Sequence, residues 1–232
     1  MMRHPANVLS ALSVTAVGLI AIALALAFFY APTEAIQGDV QRLFYIHAPT
    51  AWVMYLAFII VAAASVMVLA RRDDWERWDR IAVSAAEVGL LFITLVLTVG
   101  PIWGHRTWGT WWVWDARLTS TLVLWLIYAG YLLFRATSAP GERRARLSAV
   151  VGLIGALDIP VVHFAVYWWR TQHPTPTVLR SSGPDLPGSM LLTLLVSLAA
   201  FTVLFAALLV MRLRIEESRQ RLYVLEGRIR AA

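Results

Sequence analysis

The chain has 232 residues, 59% of them hydrophobic, with a mean hydropathy of +0.67. The apolar residues gather in runs about as long as a bilayer is thick, which excludes an ordinary soluble domain and marks a polytopic membrane protein. The net charge of +6 comes from arginine without lysine, excluding P-loop and Schiff-base lysines, and the lack of cysteine excludes a thiol nucleophile, a disulfide and thiolate metal ligands.

Six apolar segments follow in chain order, at 8–30, 49–70, 81–103, 118–135, 147–167 and 189–211. Each approximates the ~20 residues a spanning helix needs, so the expected fold is an all-α bundle of six transmembrane helices. The first run follows Arg3 and ends near Ala25-Leu26-Ala27 in the manner of a signal peptide. Its apolar core exceeds the ~7–15 residues of a signal h-region and reads as an uncleaved span. Six spans put both termini on one side. Arg3, Arg71, Arg72, Arg77, Arg80, Arg135, Arg143, Arg144, Arg146 and the six arginines from Arg212 to Arg230 share that side, against Arg42, Arg106, Arg117, Arg170 and Arg180. By the positive-inside rule the termini are cytoplasmic, and the loops 31–48, 104–117 and 168–188 face outward.

Ahead of span two, FYIHAPTAW places His47 just before Pro49, and proline suits the first turn of a helix. Within span three, Glu87 either snorkels towards Arg80 or lines a polar path through the bundle. The second outward loop reads WGHRTWGTWWVWDARLTS, with Trp103, Trp108, Trp111, Trp112 and Trp114 inside twelve residues. Singly, each indole reads as a residue of the aromatic belt. Gathered on one loop they form a flat apolar platform for a large planar ligand. A helix over 108–115 puts Trp108, Trp111 and Trp112 on one face; the alternation Trp-Trp-Val-Trp-Asp equally fits an extended segment. Asp115 and Arg117 hold one another, cap span four or meet polar groups of the ligand.

In span five, Gly152 and Gly155 permit close helix approach. Asp158, before Pro160, is a candidate to support the ligand site from near freed backbone, together with Trp168 and Trp169 beyond it. His163, in IPVVHFAVYWW, lies at the outward end of this span, at a depth similar to His47. A planar macrocycle with a central metal needs axial ligands on opposite faces, and neutral imidazole suits iron. The constellation therefore points to haem, with His47 and His163 as axial ligands and the tryptophan loop packing an edge or face. His105 and His173 lie in loops and rank second; His4 is incidental. Arg42, Arg106, Arg117 and Arg170 are the candidates for clamping the haem propionates. The segment 1–211 reads as the membrane domain and 212–232 as an arginine-rich, helical cytoplasmic tail. There Glu217 and Glu226 precede Arg221 and Arg230 by four residues, while Ile215, Leu222, Leu225 and Ile229 share a face.

WGTWWVWDARLTS in the second outward loop, FYIHAP before span two and IPVVHFAVYWWRTQHP after span five together resemble the CcmC family of WWD-motif haem-handling proteins in cytochrome c biogenesis. The resemblance covers about residues 40–175. It implies a bacterial inner-membrane protein that holds b-type, non-covalently and transiently bound haem at the periplasmic face. Such proteins load haem onto the chaperone CcmE, and work with the small membrane protein CcmD and the ABC-type complex CcmAB. By the same resemblance His47 and His163 match the axial histidines, and Trp108 to Asp115 the signature. Against this delivery reading stand a haem permease, supported by Asp158, Pro160 and Glu87, and a haem lyase, a class whose members are larger with more spans. A b-type electron carrier is the third alternative, but it buries its histidines within the bundle.

Overall fold

A computed structural model describes residues 5–169, 171–173, 178 and 183–231. His4 and Arg180 lie outside the described residues. Of the described residues 86% are helical, and none lies in a strand. Helix α1 (Pro5–Ala25) is prolonged by a π-helical turn, Leu26–Tyr30, and a short 3-10 turn, Asp39–Leu43, leads into α2 (Phe44–Ala70). There follow α3 (Trp75–Trp108), α4 (Ala116–Thr137), α5 (Glu142–Trp168) and α6 (Gly188–Ala231). All six are long and apolar enough to cross a membrane, as the sequence predicts, and the protein is a multi-pass membrane protein. Helix is the natural conformation for these runs because lipid offers no partner for an open N–H or C=O.

The helices overrun the apolar segments at several ends, and this corrects two expectations. Helix α2 begins at Phe44, so Pro49 sits inside it rather than in its first turn. Proline has no N–H to bond the carbonyl four residues back; beside it, the Thr50 hydroxyl donates to the His47 carbonyl at 2.8 Å. Helix α3 runs on to Trp108, so residues 104–108 and His105 are helical and not loop. The tail is continuous with span six in one 44-residue helix. Glu87 does not reach Arg80: its carboxylate pairs with Arg212 of α6, and Arg80 instead donates to Gln220 at 2.8 Å.

Packing explains the small residues. Phe58 of α2 stacks on Tyr128 of α4 with ring centroids 3.8 Å apart and planes 3° from parallel. Gly89 of α3 makes room for that ring, since a Cβ there would fall 2.6 Å from Phe58. A Cβ at Gly152 would meet Ser65 at 2.8 Å, and one at Gly155 would meet Tyr128 at 2.8 Å, so both serve close helix approach as expected. The Tyr128 hydroxyl donates to the Gly152 carbonyl at 3.1 Å, satisfying a buried polar group.

At the arginine-rich end the tethers are ionic. Arg135 of α4 binds Asp79 of α3 through two parallel hydrogen bonds of 2.5 and 2.8 Å, with both side chains buried. The guanidinium also lies 5.6 Å from the Tyr131 ring. Breaking a buried pair leaves an uncompensated charge and costs about 3–5 kcal/mol. Asp79→Leu should therefore lower the melting temperature in detergent sharply, and adding Arg135→Leu should restore most of the loss. Equal melting of wild type and the single variant would show that the pair contributes nothing.

Candidate functional site

The tryptophan segment is bounded by two backbone devices. Helix α3 stops at Gly109, which takes the left-handed conformation (φ 77°) and donates its N–H to the His105 carbonyl at 3.0 Å. Helix α4 starts at Asp115, whose Oδ1 accepts from the Leu118 N–H at 2.8 Å. Residues 110–115 between them are not helical. The single helical face for Trp108, Trp111 and Trp112 is thus absent. Asp115 caps α4, the second of its expected roles. Its other oxygen accepts from the Gln172 N–H at 3.2 Å, bringing the chain after α5 against the tryptophan segment.

These elements enclose a narrow cleft. His47, Met54 and Tyr55 line it from α2, Gly100 and Trp108 from α3, Arg117 and Thr121 from α4, and Val162 from α5. Trp111, Trp112 and His173 complete it from the connecting segments. His47 and His173 therefore face one space, within electrostatic reach of each other and of Arg117. The Nδ1 atoms of both rings are buried without hydrogen-bond partners. Unpartnered buried imidazole nitrogens are costly unless a ligand takes them. The His173 Nδ1 lies 3.7 Å from Asp115 Oδ2, beyond hydrogen-bond range. Gly100 sets the position of His47, because a Cβ there would lie 3.0 Å from its Cε1. The free space amounts to about 60 Å³, since the rings pack on one another. Trp108 meets His173 edge to face at 5.6 Å.

The other expected site residues separate into distinct places. Trp103 packs behind His47, 5.8 Å between centroids, and donates to Gln37 at 2.8 Å. Trp114 is 76% exposed and meets Trp112 edge to face. His105 stacks under Trp111 at 4.1 Å, its Nδ1 also buried and unpartnered. His163 is exposed and outside the cleft lining, packed against Tyr55 and Phe164; its neighbour Val162 points inward instead. Trp168 and Trp169 are exposed, with Trp168 stacked on Phe164. Asp158 is half-buried with one carboxylate oxygen unpartnered, within electrostatic reach of Tyr55. Among the arginines, Arg117 lies in the cleft beside Tyr55. Arg106 is exposed on the last turn of α3. Arg42 is turned away, bonding Asp39 and the Ala27 and Ala31 carbonyls. Arg170 lies outside the described residues.

Tyr55 and Gly100 were not among the expected site residues. Helical spacing was the available signal, since His47, Ala51, Met54 and Tyr55 fall on one face of α2. No local signal marks Gln172, whose contact with Asp115 spans 57 residues.

The heme exporter protein C family model matches residues 1–226. The chain is 40% identical to heme exporter protein C of Bradyrhizobium diazoefficiens over 222 residues, covering 95% of this chain and 83% of that protein. It is 35% identical over 196 residues to a putative cytochrome c biosynthesis ccmC-like mitochondrial protein of Marchantia polymorpha, covering 84% of this chain and 82% of the relative. Against heme exporter protein C of Escherichia coli K12 the identity is 33% over 206 residues, covering 88% and 81%.

Burial pushes the His173 pKa down and the Arg117 cation pushes it further, while Asp115 opposes both. His173 is therefore more completely neutral at pH 7 than an ordinary imidazole of pKa ~6.5. In the haem-free protein its NMR titration midpoint should lie below that value. Arg117→Leu removes a repelling cation and should raise the midpoint; Asp115→Asn removes an attracting anion and should lower it. Midpoints unmoved by either change would separate these charges from His173.

Proposed function

The chain belongs to the heme exporter protein C family, and from that premise we propose that it holds haem for delivery. The observation that carries this reading is the pair His47 and His173, which line one cleft walled by Trp108, Trp111 and Trp112 and whose Nδ1 atoms are buried without hydrogen-bond partners. Neutral imidazoles suit haem iron. The indoles offer flat apolar area to a macrocycle, and Arg117 offers a guanidinium to a propionate. As it stands the cleft is far smaller than the ~300–1,000 Å³ of typical ligand sites. Haem therefore enters by parting the non-helical 110–115 segment from the 171–173 segment. His173 replaces His163 as the preferred partner of His47, because His163 lies on the exposed side of α5.

The haem is b-type and non-covalent, and the indole-rich end faces the periplasm from the bacterial inner membrane. The arginine distribution supports this orientation. There the WWD segment, including Trp103, Trp114 and Asp115, presents haem to a CcmE-like chaperone, with CcmD-like and CcmAB-like proteins as further partners. The names of the relatives support a role in cytochrome c maturation. The permease reading has one observation in its favour: Asp158 carries an unpartnered carboxylate oxygen within a span. Haem moved across vesicles that contain this chain alone would put that reading first.

Purified protein should give a low-spin, six-coordinate haem spectrum. His47→Ala or His173→Ala should each abolish it, and His163→Ala should leave it intact. Loss with His163→Ala and retention with His173→Ala would restore the His47–His163 pair. Changing Trp111 and Trp112 together to Ala should cut chaperone loading while the chain stays in the membrane. Unchanged loading would leave them as belt residues.

A further inference from the structure

A second cavity, of about 420 Å³, lies between α1, the Asp39–Leu43 turn, α2 and α6. Its walls are hydrocarbon, chiefly Ile20, Leu24 and Phe28 from α1 and Phe201 from α6. Ala23, Tyr45 and Ser197 line it deeply, at 5%, 2% and 1% exposure. At the rim, Arg42 stands 5.8 Å from the Phe28 ring and binds Asp39. One group is unexplained. The hydroxyl of Tyr45 is buried, with the buried side chain of Gln41 on the preceding turn beside it, and neither this hydroxyl nor the Gln41 Oε1 closes a hydrogen bond within 3.5 Å.

The cavity opens outward past the exposed Leu24 and Phe28, so its occupant comes from the surrounding membrane. Ordered water needs two to four polar partners each, and these walls offer almost none. A partner helix ~10 Å across would fill the volume in about one turn, too short a piece to dock. An imidazole would be needed for haem iron, and none lines the space. A flexible hydrocarbon chain fits the walls, and the lone hydroxyl asks for one acceptor at its polar end.

We propose that this cavity takes one acyl chain of a membrane glycerophospholipid, whose ester carbonyl accepts a hydrogen bond from the Tyr45 hydroxyl. The chain enters between α1 and α2, and the head group stays outside at the level of Arg42. Because Asp39 already neutralises that arginine, the site selects the chain and the ester, not head-group charge. The lipid fills the gap between α1 and α2. The site lies behind the histidine cleft, linked to it by the ring contacts Tyr45–Phe44, Phe44–Trp103 and Trp103–His47.

Native mass spectrometry of the full chain, released from mild detergent, tests the proposal, with the bound lipid identified after extraction. Wild type should retain one phospholipid per chain. Ala23→Trp, which fills the cavity from α1, should lose it, and Ser197→Leu serves as a filler from α6 if that variant fails to fold. Tyr45→Phe should keep the cavity but retain lipid about two- to tenfold less well, as expected for one lost hydrogen bond. Adding phosphatidylethanolamine or phosphatidylglycerol should raise the wild-type melting temperature equally, and that of the filled variants not at all. A wild type free of lipid, equal retention in the filled variants, or an isoprenoid quinone in the extract would each overturn the proposal.

Discussion

The Asp115 carboxylate is the constraint on which the indole-rich end depends. One oxygen starts α4 and the other holds the backbone of Gln172, so a single side chain joins two segments that flank opposite ends of a helical hairpin. That bridge, with the Trp108 ring against His173, holds His173 over the cleft beyond the end of helix α5 at Trp168. Arg117, two residues along, faces the same space and biases His173 towards its neutral form. Capping, loop placement and imidazole charge thus converge on two neighbouring residues, Asp115 and Arg117.

The two ends of the bundle are held by different physics. The arginine-rich end relies on paired charges, Asp79 with Arg135 and Glu87 with Arg212, which restrict helix positions through direction and charge. The other end relies on rings packed edge to face or stacked, such as His105 on Trp111 and Trp108 on His173. Ring contacts of this kind contribute about 0.5–1.5 kcal/mol each beyond their buried area. Such contacts are individually exchangeable, which suits a site whose occupant comes and goes. Between the two ends, Gly89, Gly152 and Gly155 bring helices close enough to lock the middle of the membrane domain.

The spans were legible because hydrophobic length is a one-dimensional property, and the arginine bias followed from the same strings. Which histidines line the cleft was not. One residue along a helix turns a side chain by ~100°, so Val162 enters the cleft and His163 does not. Phase of that kind is set by packing against α2 and α4, not by depth in the membrane. His173 lies on a segment held by a contact to Asp115, and no local pattern announces such a pairing. The indoles were legible as a cluster, but the backbone that carries them follows Gly109 and Asp115 rather than helical continuity. Glu87 likewise chose a partner on α6 that lies far away in sequence.

Helix α6 has 44 residues, about 66 Å at the standard rise, roughly twice the ~30 Å thickness of the hydrocarbon core. Arg212 and Gln220 clasp it to α3 near the membrane edge, and α3 itself continues to the last turn before the cleft. The two helices run side by side, touching at Phe92–Phe201, Glu87–Arg212 and Arg80–Gln220. Anything that tilts the protruding length of α6 therefore drags α3 with it. The longest helix is in this sense a handle, and Trp108 stands at the far end of what it moves.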